Sequence, residues 1–272
     1  MKCCDYCGKE NEEALLYCLG CGTELLPPKT VSESVPKPRV SKVLNAKWAT
    51  VILLVFILAQ GVGGLAGVLL GFAFTGGGAF SFETLRPFVV MAGLICGAIT
   101  LVWITRAFGF RFHDISPFGP AWVRGSCRDI GIGFAMGILI YAADWVLLRL
   151  VPYTRVPMDP TTRMILRHGF PRICAVIACL LFAPIFEEMA IRGVAYAGYR
   201  RSFGPIGAAA LTTFLFVLMH EPLYRQTRIL QLTTISLAAV WLRLRSRAIG
   251  PAIAQHFAYN ACVIGMLIFW HG

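Results

Sequence analysis

The stretch Trp48–Phe74 reads WATVILLVFILAQGVGGLAGVLLGFAF, 27 residues without a charge. An uncharged apolar run of this length fits a lipid bilayer, because roughly 20 apolar residues in a helix cross a hydrocarbon core about 30 Å thick. Similar runs recur along most of the chain. In lipid every backbone N–H and C=O must pair internally, so helices are the expected spanning element. The alternating ten-residue pattern of a membrane barrel is absent. Composition agrees: 57% of residues are hydrophobic and 14% charged, whereas soluble domains carry about a quarter charged residues.

The candidate spans are 48–74, 87–105, 130–151, 172–198, 204–220, 228–243 and 249–270. They predict an all-α, polytopic transmembrane bundle of about seven or eight helices. The sixth is the weakest, since its uncharged run Ile229–Leu242 covers only ~21 Å. The basic segments 106–128 and 153–170 read as interfacial. Three parts result: a polar module over 1–26, a Pro/Ser/Lys-rich linker over 27–47, and a membrane domain over 48–272.

A net charge of +11 would suggest nucleic-acid binding in a soluble protein. Here most Lys and Arg lie between apolar runs, so the bilayer is the expected partner and nucleic acid is not. The linker, 106–128, Arg200–Arg201 and Arg243–Arg247 would share one side. Segment 75–86 and the C-terminus are poor in Lys and Arg, while 152–172 breaks the rule. The bias predicts a multi-pass plasma-membrane protein with a cytoplasmic N-terminus. That N-terminus is polar and Cys-rich, unlike a cleavable secretory signal.

Ten cysteines form two sets. Cys96, Cys127, Cys174, Cys179 and Cys262 are scattered and read as small packing residues. Cys4-x2-Cys7 and Cys18-x2-Cys21 instead supply four thiolates at tetrahedral zinc spacing, with Gly8 and Gly22 placed for tight turns. Cys3 is a spare thiol. The module resembles a zinc ribbon, with structural zinc supplying folding energy that so small a core lacks. Two disulfides are the alternative, but that reading wants an exported module. The ribbon's partner is unknown.

Charged groups inside spans are costly and call for a reason. Glu187 and Glu188 follow an apolar run. Arg192 lies four residues after Glu188, on the same helical face, and should pair with it. Glu187 then lacks a partner on its own helix, and a carboxylate desolvated beside a second one is poised as a general base. His220 ends TTFLFVLMH, four residues after Phe216. His256 and Asn260 share a face of a third helix. Measured from the basic side, Glu187 lies ~20 Å deep, His220 ~24 Å, Asn260 ~20 Å and His256 ~14 Å, so one cavity could hold them. Each residue alone has a plainer reading: His220 as an interfacial residue, Glu188–Arg192 as a structural pair, Asn260 as an interhelical bond, Phe216 as packing. Asp144 reads as a partner of Arg149 or of an interhelical donor. His220-Glu221-Pro222 is not the start of His-Glu-x-x-His.

Together, Glu187-Glu188-x-x-x-Arg192, Phe216-x-x-x-His220 and His256-x-x-x-Asn260 resemble the three motifs of the CPBP intramembrane proteases, over about 110–268. That family includes CAAX prenyl endopeptidases and bacteriocin-processing and immunity proteins. Ala190-Ile191 before Arg192, and Glu221-Pro222 after His220, depart from its usual pattern. The resemblance implies an endopeptidase acting on membrane-anchored or prenylated peptides. Glu187 would activate water and His220 would hold it. Glu188 and Arg192 would position the base, and His256 and Asn260 would stabilise the oxyanion. No Ser or Cys lies in these motifs to act as a covalent nucleophile. Glu187, His220 and His256 form a conceivable zinc set, though the resemblance favours metal-free chemistry. A non-catalytic peptide-binding or immunity protein of the same fold is the alternative; a carrier using the buried acids is a third, without the paired halves it would need.

Overall fold

The computed structural model describes residues 2–3, 10–12, 25, 44–75, 82–107, 126–150, 160–220, 226–246 and 248–271. The chain divides into two compact units, Met1–Val40 and Ser41–Gly272. In the first, β1 (Lys2–Cys3) and β2 (Glu10–Asn11) pair antiparallel, Lys2 opposite Asn11 and Cys3 opposite Glu10. The sequence between these strands carries Cys4 and Cys7. Those two, Cys18, Cys21 and most of the linker lie outside the described residues.

The second unit is helical. Its elements are α1 (Ala46–Thr75), α2 (Phe82–Ala107), α3 (Cys127–Leu150), α4 (Pro160–Leu166), α5 (Phe170–Ile177), α6 (Ala183–Glu188), α7 (Tyr196–Met219), α8 (Gln226–Ser246) and α9 (Gly250–His271). Two π-helical turns, Ala178–Phe182 and Met189–Ala195, join α5 to α6 and α6 to α7. Local sequence sets the starts. Asn45 accepts the Trp48 N–H at 3.2 Å, capping α1 two residues ahead of the expected boundary. Ser126 caps α3 by accepting the Asp129 N–H at 3.2 Å, while its hydroxyl donates to Asp129 at 2.9 Å. The Ser126 hydroxyl thus satisfies one free N–H of the first turn and is itself held by the Asp129 carboxylate.

Among the described residues, five helical stretches are long and apolar enough to cross a membrane: Ala46–Phe74, Thr84–Ala107, Cys127–Leu147, Phe170–Met219 and Gly250–Trp270. Seven were expected, and two differences account for the change. Segments 172–198 and 204–220 belong to one helical run of 50 residues. Segment 228–243 lies in α8, which does not qualify, because Arg228, Gln231, Thr233, Thr234, Arg243 and Arg245 dilute its apolar residues. The 50-residue run cannot be straight, since it would extend about 75 Å. It turns at Gly204, whose φ of 72° and ψ of 177° break the helix. Glycine tolerates this left-handed φ, and Pro205 restarts the next helix without needing the missing N–H. Arg192 and Phe216 come within 4.5 Å, guanidinium to ring centroid, so the two arms fold back on one another.

Contacts at the corner collect one end of the bundle. Ser202 accepts the Ala46 N–H at 3.1 Å, and Arg201 donates to the Leu44 carbonyl at 3.2 Å. Arg245 at the end of α8 lies 3.7 Å from Asp129 at the start of α3. The end of the linker thus adjoins Arg201 and Ser202, and the basic end of α8 adjoins the start of α3.

Glycines permit the closest helix approaches. A Cβ on Gly63 or Gly67 of α1 would strike the backbone of α2 at Ala92 or Phe88. A Cβ on Gly133 or Gly137 of α3 would strike the α9 backbone at Pro251 or Gln255. Small residues allow such approach where lipid gives no hydrophobic drive for association. Further along the α3–α9 seam, the Tyr259 hydroxyl donates to Asp144 at 2.8 Å. Asp144 thus has the interhelical donor and not Arg149, which lies over the Trp145 ring at 4.6 Å.

Candidate active site

The site is assembled on the folded-back run and on α8 and α9. Glu188 and Arg192 are both completely buried, and Arg192 Nη1 donates to Glu188 Oε1 at 3.0 Å. The pairing expected from their spacing is present. Arg192 Nη2 reaches α8, donating to Ser236 Oγ at 2.8 Å and to the Ser236 carbonyl at 3.3 Å. Ser236 Oγ in turn donates to Thr213 Oγ1 at 3.0 Å. Below the guanidinium lies the Phe216 ring, a cation–π contact without solvent. Such contacts are strongest when desolvated. A buried charge pair needs further partners to offset desolvation; Ser236 and Phe216 supply some for Arg192, while Arg192 Nε and Glu188 Oε2 are buried without a hydrogen bond.

Glu187 faces another way. Its Oε2 lies 3.2 Å from His220 Nε2, with both side chains about one-fifth exposed. The distance suits an ion pair, but the atoms are not aligned as a hydrogen bond, so Glu187 Oε2 is buried without one. His220 Nδ1 sits 2.8 Å from the Phe216 carbonyl. A carbonyl can only accept, so Nδ1 carries a hydrogen and neutral His220 presents Nε2 as an acceptor. Glu187 Oε2 and His220 Nε2 thus face each other at close range without a formed hydrogen bond.

His256 and Asn260 occupy one face of α9, as their spacing requires. His256 Nδ1 lies 3.1 Å from Glu188 Oε1, which leaves Nε2 uncommitted. Asn260 Nδ2 donates to the Cys179 carbonyl at 2.8 Å. That carbonyl lies in the first π turn, where widened i→i+5 bonding disturbs the ordinary ladder and frees backbone groups for other partners. Glu187 with His220, and Glu188 with Arg192 and His256, thus form a pair and a neighbouring triad. Phe216 stands between them, its centroid 4.3 Å from His220 and 6.1 Å from His256. Asn260 is one turn from His256 and engages backbone instead of a carboxylate.

Residues 169–262 match the family model of Rce1-like type II CAAX prenyl endopeptidases. The Rce1-like segment contains all seven motif residues and is shorter at both ends than the expected 110–268. It covers α5 to α9 up to Cys262 and leaves α1 to α4 outside. The matched family is one of endopeptidases, hydrolases of peptide bonds, and multiple apolar helices make this a multi-pass membrane protein. Comparison with curated proteins and with solved structures returned no match.

Among the described residues, no three His, Cys, Asp or Glu side chains group as a metal set. Glu187 and His220 belong to the pair, and His256 to the triad. Sequence reasoning missed Ser236 and Thr213, because a hydroxyl within an apolar helix carries no signal of what it bonds. Phe216 was read as packing alone. Its place in Phe-x-x-x-His was the available clue to its contacts with both histidines and Arg192.

Proposed function

We propose that this chain is an intramembrane endopeptidase that hydrolyses membrane-anchored or prenylated, CAAX-type peptides through water activated by Glu187. The observation that carries the reading is Glu187 itself. It has no partner on its own helix, its buried Oε2 lacks a hydrogen bond, and His220 approaches it from a helix 33 residues further on. The match of residues 169–262 to a family of prenyl endopeptidases supports the substrate class.

In this mechanism Glu187 accepts a proton from water while His220 holds the water. The new hydroxide oxygen bonds to the scissile carbonyl carbon, and the carbonyl π electrons move to oxygen. The second Asn260 N–H, and His256 Nε2 when the ring is cationic beside Glu188, are the donors for that oxyanion. Collapse re-forms the carbonyl and breaks the C–N bond, and the proton on Glu187 passes to the leaving amine. Glu188 and Arg192 act through position: Glu188 fixes the His256 ring, and Arg192 fixes Glu188.

Four further elements belong to the proposal. Cys4, Cys7, Cys18 and Cys21 hold one structural zinc ion; the β1–β2 pair that brackets Cys4 and Cys7 in sequence fits a ribbon. The ion's role is to fold that module. The hydrolytic site works without a metal. The N-terminus faces the cytoplasm of the plasma membrane, in keeping with the basic residues gathered near the Gly204 corner.

The test is cleavage of membrane-anchored peptides by purified protein and by Glu187→Gln. Hydrolysis by the parent alone is expected; equal hydrolysis by both removes Glu187 from the chemistry. Zinc analysis of Cys4→Ser/Cys7→Ser protein addresses the metal. Loss of zinc with cleavage retained is expected, whereas stoichiometric zinc that Glu187→Gln then releases would overturn the metal-free reading.

A further inference from the structure

α1 is apolar almost throughout, yet its middle carries Gln60. An amide at that depth needs a reason, because polar groups in a span are costly and commonly functional. Gln60 makes no hydrogen bond to another described side chain or backbone group outside its helix. Its stem lies against α2 over Gly97, where any Cβ would strike it. The missing side chain at Gly97 thus makes room for Gln60.

Gln60 lines a cavity of about 520 Å³ whose walls are α1 and α2 on one side, and α4, α5, the first π turn and α6 on the other. The volume is in the range of small-ligand sites. Its lining is apolar except at Gln60, Thr161 and Glu187. The carboxylate assigned as general base thus opens into a groove whose far wall lies outside the Rce1-like segment.

We infer that this groove binds the unwound main chain of a membrane-embedded peptide, with the Gln60 amide as a substrate-contacting residue that pairs its backbone. The inference rests on the endopeptidase reading above and adds where the substrate lies. A peptide bond must leave its helix before water can attack it, and an unwound backbone in lipid leaves N–H and C=O groups unpaired. One amide side chain supplies both a donor and an acceptor. A lipid tail would ask for neither, and a groove made for one would have no use for Gln60. Asn260 has one N–H committed to Cys179 and does not line the groove, so the Gln60 amide supplies hydrogen-bonding capacity there that α9 does not.

The experiment measures binding separately from cleavage. Full-length Glu187→Gln protein in lipid nanodiscs is titrated with a fluorescein-labelled, single-span Leu/Ala peptide interrupted by a central Gly-Pro pair. Gln60→Leu should weaken binding about tenfold, the effect of one substrate hydrogen bond, and Gln60→Asn should recover part of it. Gly61 lines the same groove, and a Cβ there would meet nothing within 4 Å. Gly61→Leu therefore narrows the groove without disturbing helix packing, and should also weaken binding. Undiminished binding by Gln60→Leu overturns the inference. If only Gly61→Leu matters, or if a single-chain lipid displaces the peptide equally from parent and Gln60→Leu protein, the groove holds an apolar chain and the inference is again overturned. Failure of the parent to cleave any peptide would instead count against the endopeptidase reading, and the binding result would still stand.

Discussion

In the α1–α2 hairpin, Gly63 and Gly67 bring two backbones together, and the contact is van der Waals packing. Around Arg192 the means differ. There a fully buried guanidinium touches Glu188, Ser236 and Phe216, and so ties α6, α7 and α8 together. Close packing gives a smooth wall but tolerates little added volume. A charge network fixes side-chain directions, at the cost of burying ions that need every partner. The contrast teaches a division of labour: the packed hairpin bounds the space beside Glu187, and the bonded core aims the reacting groups.

This contrast can be broken at several points. The largest effect is expected from Glu187→Gln, which should lower peptide hydrolysis by roughly 10²–10⁴-fold, the usual contribution of a general base. Its thermal unfolding in detergent should match the parent. Next comes Arg192→Met, which leaves Glu188 buried without its cation and should cost about 3–5 kcal/mol of stability, read from unfolding midpoints. If Arg192→Met unfolds like the parent, the network does not hold the core. Gly67→Leu puts a side chain into the α2 backbone and should cost about 1–3 kcal/mol. Because α1 and α2 form one wall of the groove, shifting them should alter KM for peptides more than kcat. The smallest effect belongs to Tyr259→Phe, which removes one interhelical bond to Asp144 and should cost about 0.6 kcal/mol in the membrane. A loss several times larger would show that Asp144–Tyr259 matters as much to α9 as Arg192 does to α7.

Much of this was legible in sequence because lipid imposes a coarse rule on composition. The run at 48–74 declared a span, and the i, i+4 spacing of Glu188 and Arg192 declared a pair. The shared level of Glu187 and His220 followed from counting rises along two arms. The two π turns were hidden, since nothing in the composition of Ala178–Phe182 or Met189–Ala195 separates i→i+5 from i→i+4 bonding. Asp144 could not reveal Tyr259, 115 residues away, while Arg149 offered a nearer decoy. α8 looked like a span because its apolar stripe reads well over Ile229–Leu242, yet the whole helix is too mixed. Gln60 was passed over because one amide hardly lowers the hydropathy of a 30-residue helix.

Gly204 has a consequence for how such a site can change over time. Glu187 stands 17 residues before it and His220 stands 16 after it, so the bend works like the crease of a folded strip whose two marks must coincide. One residue added to either arm would raise a mark by about 1.5 Å and swing it about 100° around its helix. Point changes along both arms are tolerable, but a change in either arm's length pulls the acid and the imidazole apart. Drift in this segment should therefore proceed by exchange of letters and almost never by insertion or deletion.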